Sequence, residues 1–358
     1  SLLINTLIEA CLPSLENEER SVETKDVDPF DSLLFYSVNN ILQICFGTRA
    51  KSPHDPLYRG IMTLIEGSAK YIAVGYGPIG FLPILSFRQE LKDCELFFRE
   101  LRNGLFPALI DRISRSTQDS MFQRLCQQRE EFQLEDEDLY QASADTLVAG
   151  TETTVATISW IIAILLHYPD VCKRLGEEVD MFIKTHERLP KFSERDQFPY
   201  MISVQKECMR YRPVLHLSLP HSLDRNVQCQ GYAFPKNTPL FSFIYGHSRD
   251  SKRYYKPDEF IPDRFIHDTH KTMSSAAAGK IEDRDHFTFG WGRRVCPGSL
   301  LSESTMFNVM TSIFAYCTLE PPLNGSLPDL NDYHDQGISV KPPPFKVRFI
   351  RRTDCLLS

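Results

Sequence analysis

The sequence has few features that would divide it into separate parts. No Gly/Ser-rich or low-complexity stretch and no internal repeat interrupts its 358 residues, so no linker between domains is predicted. The ten cysteines form no CxxC pair and have no histidines at zinc-binding spacing, which disfavours a zinc module. A net charge of -7 argues against a nucleic-acid partner, because phosphate binding calls for a basic surface.

Long apolar runs are also scarce. The stretch Leu2–Leu12 has no initiator Met and no basic flank, and it is shorter than the roughly 20 residues that span a bilayer. The most apolar later stretch, Val155–Leu166, also falls short of that length. We therefore expect no secretory signal and no membrane anchor in the chain as given, and we expect its scattered cysteines to be mostly reduced thiols.

Helical periodicity dominates what is present. It predicts helices over residues 31–46 and 88–113, with an apolar loop at Tyr76–Pro83, and a long central helix from about Asp138 to His167. The remaining predicted elements are helices at 170–184 and 200–211, strands at 228–233 and 239–243, and an extended hairpin over 337–351. The predicted fold class is mainly α with a small β part. We expect one domain over residues 1–358, with residues 1–212 mainly helical and residues 213–358 holding the β segments and a final helix.

The strongest chemical signal is Phe289-Gly-Trp-Gly292-Arg-Arg294-Val-Cys296-Pro-Gly298, which precedes a predicted helix. Gly292 and Gly298 permit close backbone approach and a tight turn. Cys296 would then lie at a helix N-terminus, where the helix dipole is expected to lower its pKa. Arg294 adds a positive charge that could hold a carboxylate. Taken alone, the thiol could equally be a nucleophile, a redox thiol or an inert buried cysteine.

The pattern F-x-x-G-x-R-x-C-x-G, matched at every fixed position, resembles the haem-binding loop of cytochromes P450. The resemblance implies that Cys296 is the axial ligand of haem b (iron protoporphyrin IX). It also implies that Phe289, Gly292 and Gly298 shape the cofactor site and that Arg294 bonds a haem propionate. His221, which by itself reads as a surface residue of a strand, is implied as a second propionate ligand.

The segment Ala149-Gly150-Thr151-Glu152-Thr153-Thr154 lies in the middle of the long predicted helix. An acid inside such a helix is costly unless it is hydrogen-bonded or hydrated. The residues alone also fit a helix in which Glu152 reaches solvent and Thr153 bonds the preceding turn. The segment resembles the P450 oxygen-binding helix, which implies that Ala149 and Gly150 make room for O₂ and that Glu152 and Thr153 relay protons.

Two further segments follow the family's order. Glu207 and Arg210 form an ExxR pair on one helix face, a spacing that is common on exposed helices. Phe260-Ile-Pro-Asp263-Arg264-Phe resembles the family's PERF segment, with Asp263 in place of Glu. The resemblance implies a buried triad of Glu207, Arg210 and Arg264 that supports the proximal haem face, and we expect it to affect haem retention rather than turnover.

The resemblance implies a P450 fold lacking its N-terminal anchor and its first sheet and helices. The implied activity inserts one atom of O₂ into a small apolar organic substrate, with electrons from NADPH through NADPH-cytochrome P450 reductase, in secondary or xenobiotic metabolism. The residues around the cysteine are similar to microsomal fungal members. This similarity implies the cytosolic face of the endoplasmic reticulum membrane for an intact form.

The sequence also departs from the family. After the cysteine, where members often read L-A-x-x-E, this chain has Leu301-Ser-Glu303-Ser-Thr305, and the family's N-terminal segments have no counterpart here. These departures favour an alternative, a truncated and catalytically impaired haem-binding remnant. A rearrangement-type P450 that needs no reductase is disfavoured by the intact Glu152–Thr153 pair. A purely structural helical protein would have no use for this combination of residues.

Overall fold

The computed structural model describes residues 25–76, 88–280, 284–337 and 339–357. The predicted apolar stretch Leu2–Leu12 and most of the predicted loop Tyr76–Pro83 lie outside the described residues. The chain divides into two compact units, one from residues 1–159, 317–337 and 342–353, the other from residues 160–316, 338–341 and 354–358. The organisation as a single domain stays a prediction.

Helices are the main regular structure of both units in the described residues, which confirms the mainly α fold class. The first unit holds α1 (Phe30–Phe46), α2 (Pro56–Tyr76), α3 (Arg88–Asn103), α4 (Leu105–Arg115), α5 (Met121–Gln127) and the larger part of α6 (Asp136–Leu165). The second unit holds α7 (Pro169–His186), α8 (Pro199–Tyr211), α9 (Ile244–Ser248), α10 (Met273–Ala278) and α11 (Ser299–Tyr316). Short 3₁₀ turns lie at Phe192–Gln197 and Gly292–Arg294.

The β part is small. β1 (His221–Ser222) pairs antiparallel with β4 (Pro239–Leu240), β2 (Val227–Cys229) with β3 (Tyr232–Phe234), and β5 (Cys317–Glu320) with β8 (Arg348–Arg351). The other two strands are β6 (His334–Asp335) and β7 (Val340–Lys341). The predicted strand over 228–233 is instead a hairpin, because Gln230 and Gly231 turn the chain with positive φ angles of 50° and 83°. The hairpin expected within 337–351 is wrong, since β8 pairs with β5.

Helix ends follow local signals. Gly47 ends α1 in the left-handed region, with φ 62°, and its N–H bonds the carbonyl of Leu42. Gly104 separates α3 from α4, where periodicity alone predicted one helix over 88–113. Glycine weakens a helix interior because it loses the most backbone freedom on folding. Three acids in the first turn of α6, Asp136 to Asp138, suit the positive end of its dipole.

The central helix α6 is the described helix that is long and apolar enough to cross a membrane. However, 72% of its apolar window is buried inside the protein. Trp160 is 2% exposed and its Nε1 donates to the carbonyl of Val340 at 3.2 Å. Such burial is typical of a core helix, as its apolar circumference predicted.

Two elements of the second unit position the residues of interest. α8 starts at Pro199, and the buried carboxylate of Glu178 accepts hydrogen bonds from the Tyr200 and Met201 amides, both at 2.8 Å. This carboxylate satisfies two amides that a helix start leaves without partners. α8 and α11 pack against each other; α8 is almost fully buried, and α11 is buried except near its start, where Leu300 is exposed, and at a few partly exposed positions.

The polar residues on α11 are accommodated by specific partners. Glu303 is fully buried, and its carboxylate lies 3.1 Å from Arg195 Nη2 and accepts from the Met273 amide at 2.9 Å. The Thr305 hydroxyl donates to the carbonyl of Leu301 at 2.8 Å. Burial raises the pKa of Glu303, and the nearby Arg195 opposes that rise. The departure from L-A-x-x-E therefore leaves a packed and internally bonded helix.

Candidate functional site

Cys296 lies on a short loop that its own backbone closes. The Cys296 amide donates to the carbonyl of Phe289 at 2.9 Å, and Gly292–Arg294 forms a 3₁₀ turn between them. Gly292 has φ 65°, in the left-handed region, as the predicted tight turn requires. Gly290 has φ 70°, a second left-handed position that the fixed motif positions did not indicate. The loop thus presents one cysteine ahead of α11.

The ionisation of Cys296 is opposite to what its place in the sequence predicted. Burial raises the pKa of the thiol, and the hydrogen bond from the Gly298 N–H only partly lowers it. α11 begins at Ser299, so Cys296 precedes the helical residues and the dipole acts on it weakly, since that effect falls off within the first turn. Desolvation therefore outweighs the Gly298 hydrogen bond, and a cation beside the sulfur would favour the thiolate.

The ExxR pair and Arg264 meet around one buried carboxylate. Arg210 Nε and Nη2 donate to Glu207 Oε2 and Oε1 at 2.7 and 2.8 Å, and Arg264 Nε donates to Oε2 at 2.9 Å. The side chains of Arg210, Glu207 and Arg264 are 1%, 0% and 9% exposed, respectively. Asp263 points elsewhere and pairs with Arg174 at 2.9 Å. The structure therefore brings Arg264 to the carboxylate of Glu207, which lies 57 positions earlier in the sequence.

The α6 residues lie in the first unit. The Thr153 hydroxyl donates to the carbonyl of Ala149 at 2.8 Å, and Gln336 Nε2 makes a long contact of 3.5 Å with Glu152 Oε1. A Cβ on Gly150 would lie 2.8 Å from Ile41 Cδ1, so a larger residue there would require the end of the Ile41 side chain to shift. Glu152 and Thr153 are half-buried. The oxygen and proton roles of these residues stay predictions.

The two propionate candidates are exposed. His221 begins β1 opposite Leu240, and Arg294 ends the 3₁₀ turn two residues before Cys296. Both belong to the second unit, with Cys296 and the Glu207 triad. An exposed guanidinium beside the loop is available to an anionic group, but binding of a propionate by either residue stays a prediction.

Comparison with known proteins follows from this geometry. The family model for cytochrome P450 matches residues 4–349. The chain belongs to the cytochrome P450 family.

Individual P450 relatives agree with the family model. A steroid 21-hydroxylase from Mus musculus is 34% identical over 64% of this chain and 45% of its own length. A cytochrome P450 monooxygenase from Penicillium roqueforti is 29% identical over 81% of this chain and 61% of its own length. The chain thus spans about half of the length of these relatives.

A solved structure supports the P450 fold. A zebra fish cytochrome P450, described with progesterone, superposes with a TM-score of 0.72 at 23% identity. The match covers 98% of this chain and 76% of that one. At this identity the likeness establishes the fold.

P450 membership implies a haem-thiolate cofactor, and the residues present fit one. A Cβ built on Gly298 would lie 3.9 Å from Cys296 Sγ. Apart from the two chain neighbours of Gly298, no other described residue has an atom within 4 Å of that Cβ. A side chain at position 298 would therefore contact the sulfur, and glycine keeps that side of the sulfur clear. P450 haem requires a thiolate donor, which Cys296 would supply, and Arg294 is exposed on the same loop.

Sequence reasoning missed several residues that hold this loop. Arg284 is buried, and its guanidinium donates to the carbonyls of Gly279 at 3.2 Å and Gly290 at 3.3 Å. Lys206, next to the ExxR glutamate, is fully buried and pairs with Asp285. From the sequence alone, a lysine and an arginine are expected to be exposed on the surface. The one signal that Lys206 and Arg284 are buried was the position of an acid, Asp285, just ahead of the loop.

Proposed function

We propose that this chain is the thiolate-bearing part of a P450 monooxygenase that uses haem b to insert one oxygen atom from O₂ into a small apolar substrate. The single observation that carries the proposal is the loop in which the Cys296 amide bonds the carbonyl of Phe289 and the sulfur lies next to Gly298, 3.9 Å from where a Cβ would stand. If Cys296 were a nucleophile, a redox thiol or an inert cysteine, the buried triad of Glu207, Arg210 and Arg264 would have no explanation.

The residues of this chain have distinct tasks in the proposed reaction. Cys296 would hold the haem through its sulfur, and Arg294 and His221 would bind the haem carboxylates. Glu152 and Thr153 would hold and pass protons on α6, where their side chains are half-buried. When bound, the haem supplies the activation of O₂ and its transfer to the substrate.

The proposed partners follow from the same chemistry. Two electrons per turnover would come from NADPH through NADPH-cytochrome P450 reductase. Relatives named as a steroid 21-hydroxylase and as fungal monooxygenases support a polycyclic or other apolar substrate, in secondary or xenobiotic metabolism. The proposed location is the cytosolic face of the endoplasmic reticulum membrane.

A carbon monoxide difference spectrum tests the proposal directly. The haem-supplemented, dithionite-reduced chain is expected to give the strongly red-shifted Soret band of a thiolate-ligated haem. Cys296→Ala should abolish that band, whereas Cys229→Ala, which removes an exposed cysteine, should retain it. A spectrum typical of histidine-ligated or detached haem in the unaltered chain would contradict the proposal and favour the impaired remnant.

A further inference from the structure

Lys206 is an ammonium ion buried in the core of the second unit. Its side chain is fully buried on α8, and Nζ donates to Asp285 Oδ2 and to the carbonyl of Asp268, both at 2.5 Å. Removing a charge from water is costly unless a partner and further hydrogen bonds compensate. The fold therefore holds Asp285 close to α8.

Asp285 belongs to a short segment, residues 284–290, that leads into the Cys296 loop. The Asp285 carbonyl accepts from the Tyr254 hydroxyl at 3.0 Å, and the Arg284 carbonyl accepts from Arg253 Nη2. Arg284 Nη1 reaches forward to the carbonyl of Gly290 at 3.3 Å. Both the start and the end of this lead segment are thus held by side chains.

The lead segment is bonded directly to the backbone of Cys296. The Gly290 amide donates to the carbonyl of Phe287 at 3.0 Å, which forms one turn, and the carbonyl of Phe289 accepts from the Cys296 amide at 2.9 Å. Three residues separate Asp285 from Phe289. A displacement of Asp285 would therefore be transmitted through a single turn to the residue that carries the sulfur.

The neighbouring triad holds a different stretch of chain. Glu207 accepts from the Ile261 amide, and Arg210 donates to the carbonyls of Ser248, Pro257 and Glu259. The remaining bonds of Arg264 end on the carbonyls of residues 255, 256 and 259. These bonds fix residues 248–261, whereas Lys206 bonds the lead segment, through its side chain to Asp285 and through its backbone to the His286 imidazole.

We propose that the Lys206–Asp285 ion pair positions the Cys296 loop by fastening the lead segment to α8. Lys206 and Asp285 are positioning residues, because they act on the sulfur through the backbone of residues 285–296. The cofactor part of this inference rests on the proposed function, in which Cys296 carries the iron. The positioning itself is a property of the chain without haem.

Thiol alkylation in the full haem-free chain measures that positioning. The rate of Cys296 modification by iodoacetamide would be followed by peptide mass spectrometry, with the buried Cys208 of α8 as an internal reference. Lys206→Met should speed Cys296 modification on the order of tenfold, since losing a buried charge partner favours local opening. Lys256→Met removes the exposed ion pair with Glu259 and is the matched control, with no change expected.

A charge-free double variant separates positioning from plain stability. Lys206→Met/Asp285→Asn removes both charges, so the urea midpoint should recover toward that of the unaltered chain. The ion-pair attachment is still lost, while the hydrogen bond between the His286 imidazole and the backbone of Lys206 is present in both variants, so Cys296 should remain about as reactive as in Lys206→Met. After haem loading, both variants should show a smaller thiolate-type carbon monoxide band for the same helix content.

Three results would overturn the inference. These are an unchanged Cys296 rate in Lys206→Met, a return to the original rate in the double variant, and a parallel rise at Cys208 that signals general loosening. The carbon monoxide spectrum of the unaltered chain shows whether the positioning inference or the proposed function has failed. If it gives no red-shifted band, the monooxygenase proposal fails, while the alkylation rates still decide whether the ion pair positions the loop.

Discussion

Arg210 binds both carboxylate oxygens of Glu207, with Nε 2.7 Å from Oε2 and Nη2 2.8 Å from Oε1. The pair is bidentate and buried, and Arg210 Nη1 also donates to the carbonyls of Ser248 and Pro257. Bidentate charge-assisted bonds of this kind are among the strongest in proteins. A buried pair is stable only while both partners remain, because a lone buried charge has no compensation.

Replacing Arg210 with methionine should therefore unfold the second unit more easily. Arg210→Met leaves Glu207 buried with only Arg264 and the Ile261 amide as partners, and we expect a loss of about 3–5 kcal/mol in the free energy of unfolding. Urea denaturation of the haem-free chain measures it. Lys256→Met, which removes the exposed pair with Glu259, is the control and should change the midpoint little. A full loss of haem binding with unchanged unfolding would contradict the folding role.

The two glycines of the loop should fail in different ways when replaced by alanine. Gly292 has φ 65° with no heavy atom within 4 Å of a built Cβ, so Gly292→Ala should cost about 1–2 kcal/mol of backbone strain. The φ angle of Gly298 lies outside the left-handed region, and a Cβ there would contact Cys296 Sγ at 3.9 Å. Gly298→Ala should therefore preserve stability but reduce thiolate-ligated haem.

Unfolding midpoints and carbon monoxide spectra of the two glycine variants provide the check. If Gly298→Ala loads haem as fully as the unaltered chain, the space beside the sulfur is not where the cofactor binds. If Gly292→Ala is as stable as the unaltered chain, the turn does not depend on the left-handed backbone.

Features decided by nearby residues could be predicted from the sequence. The ends of α1, α7 and α8 lie within two residues of the predicted positions, because Gly47, Pro169 and Pro199 are local stop and start signals. The residues of the cysteine loop were named because the motif is contiguous, and Gly292 has the left-handed backbone that its tight turn predicted.

Features decided by distant parts of the chain could not be predicted. β5 and β8 pair although 27 residues separate Cys317–Glu320 from Arg348–Arg351, and periodicity favoured a local hairpin instead. Lys206 and Asp285 are 79 positions apart, and each alone resembles a surface charge. The pKa of Cys296 rises because burial outweighs the Gly298 hydrogen bond, and the burial of a side chain depends on the whole fold.

Gly150 and Ile41 should be coupled through packing. A Cβ on Gly150 would lie 2.8 Å from Ile41 Cδ1, and Ile41→Val removes that terminal methyl group. Gly150→Ala should therefore be less favourable in the unaltered chain than in an Ile41→Val background, with a coupling of about 1 kcal/mol. A double-mutant cycle by thermal unfolding of the haem-free chain measures it. A coupling near zero would leave room for dioxygen as the remaining reason for this glycine.

His286 should make the fold acid-sensitive. Its imidazole is fully buried beside the Lys206–Asp285 pair, and burial lowers its pKa to about 4 from 6.5, although the charge of Asp285 partly opposes the change. The folded-state pKa lies below the unfolded one, so between pH 6.5 and 4 the unfolded chain takes up a proton that the folded chain does not. The stability that neutral His286 contributes is complete above pH 6.5 and is lost as the pH falls toward 4.

The free energy of unfolding, measured by urea denaturation at steps across this window, tests the prediction. His286→Gln should reduce the acid loss of the unaltered chain by about 3 kcal/mol at most, because it removes one proton uptake from the unfolded state. His270→Gln removes an exposed imidazole and serves as the control. If the free energy of unfolding falls equally with pH in the unaltered chain and in His286→Gln, this histidine has the same charge in the folded and the unfolded state. The acid sensitivity would then have to come from the buried carboxylates, whose protonation changes stability in a different range of pH.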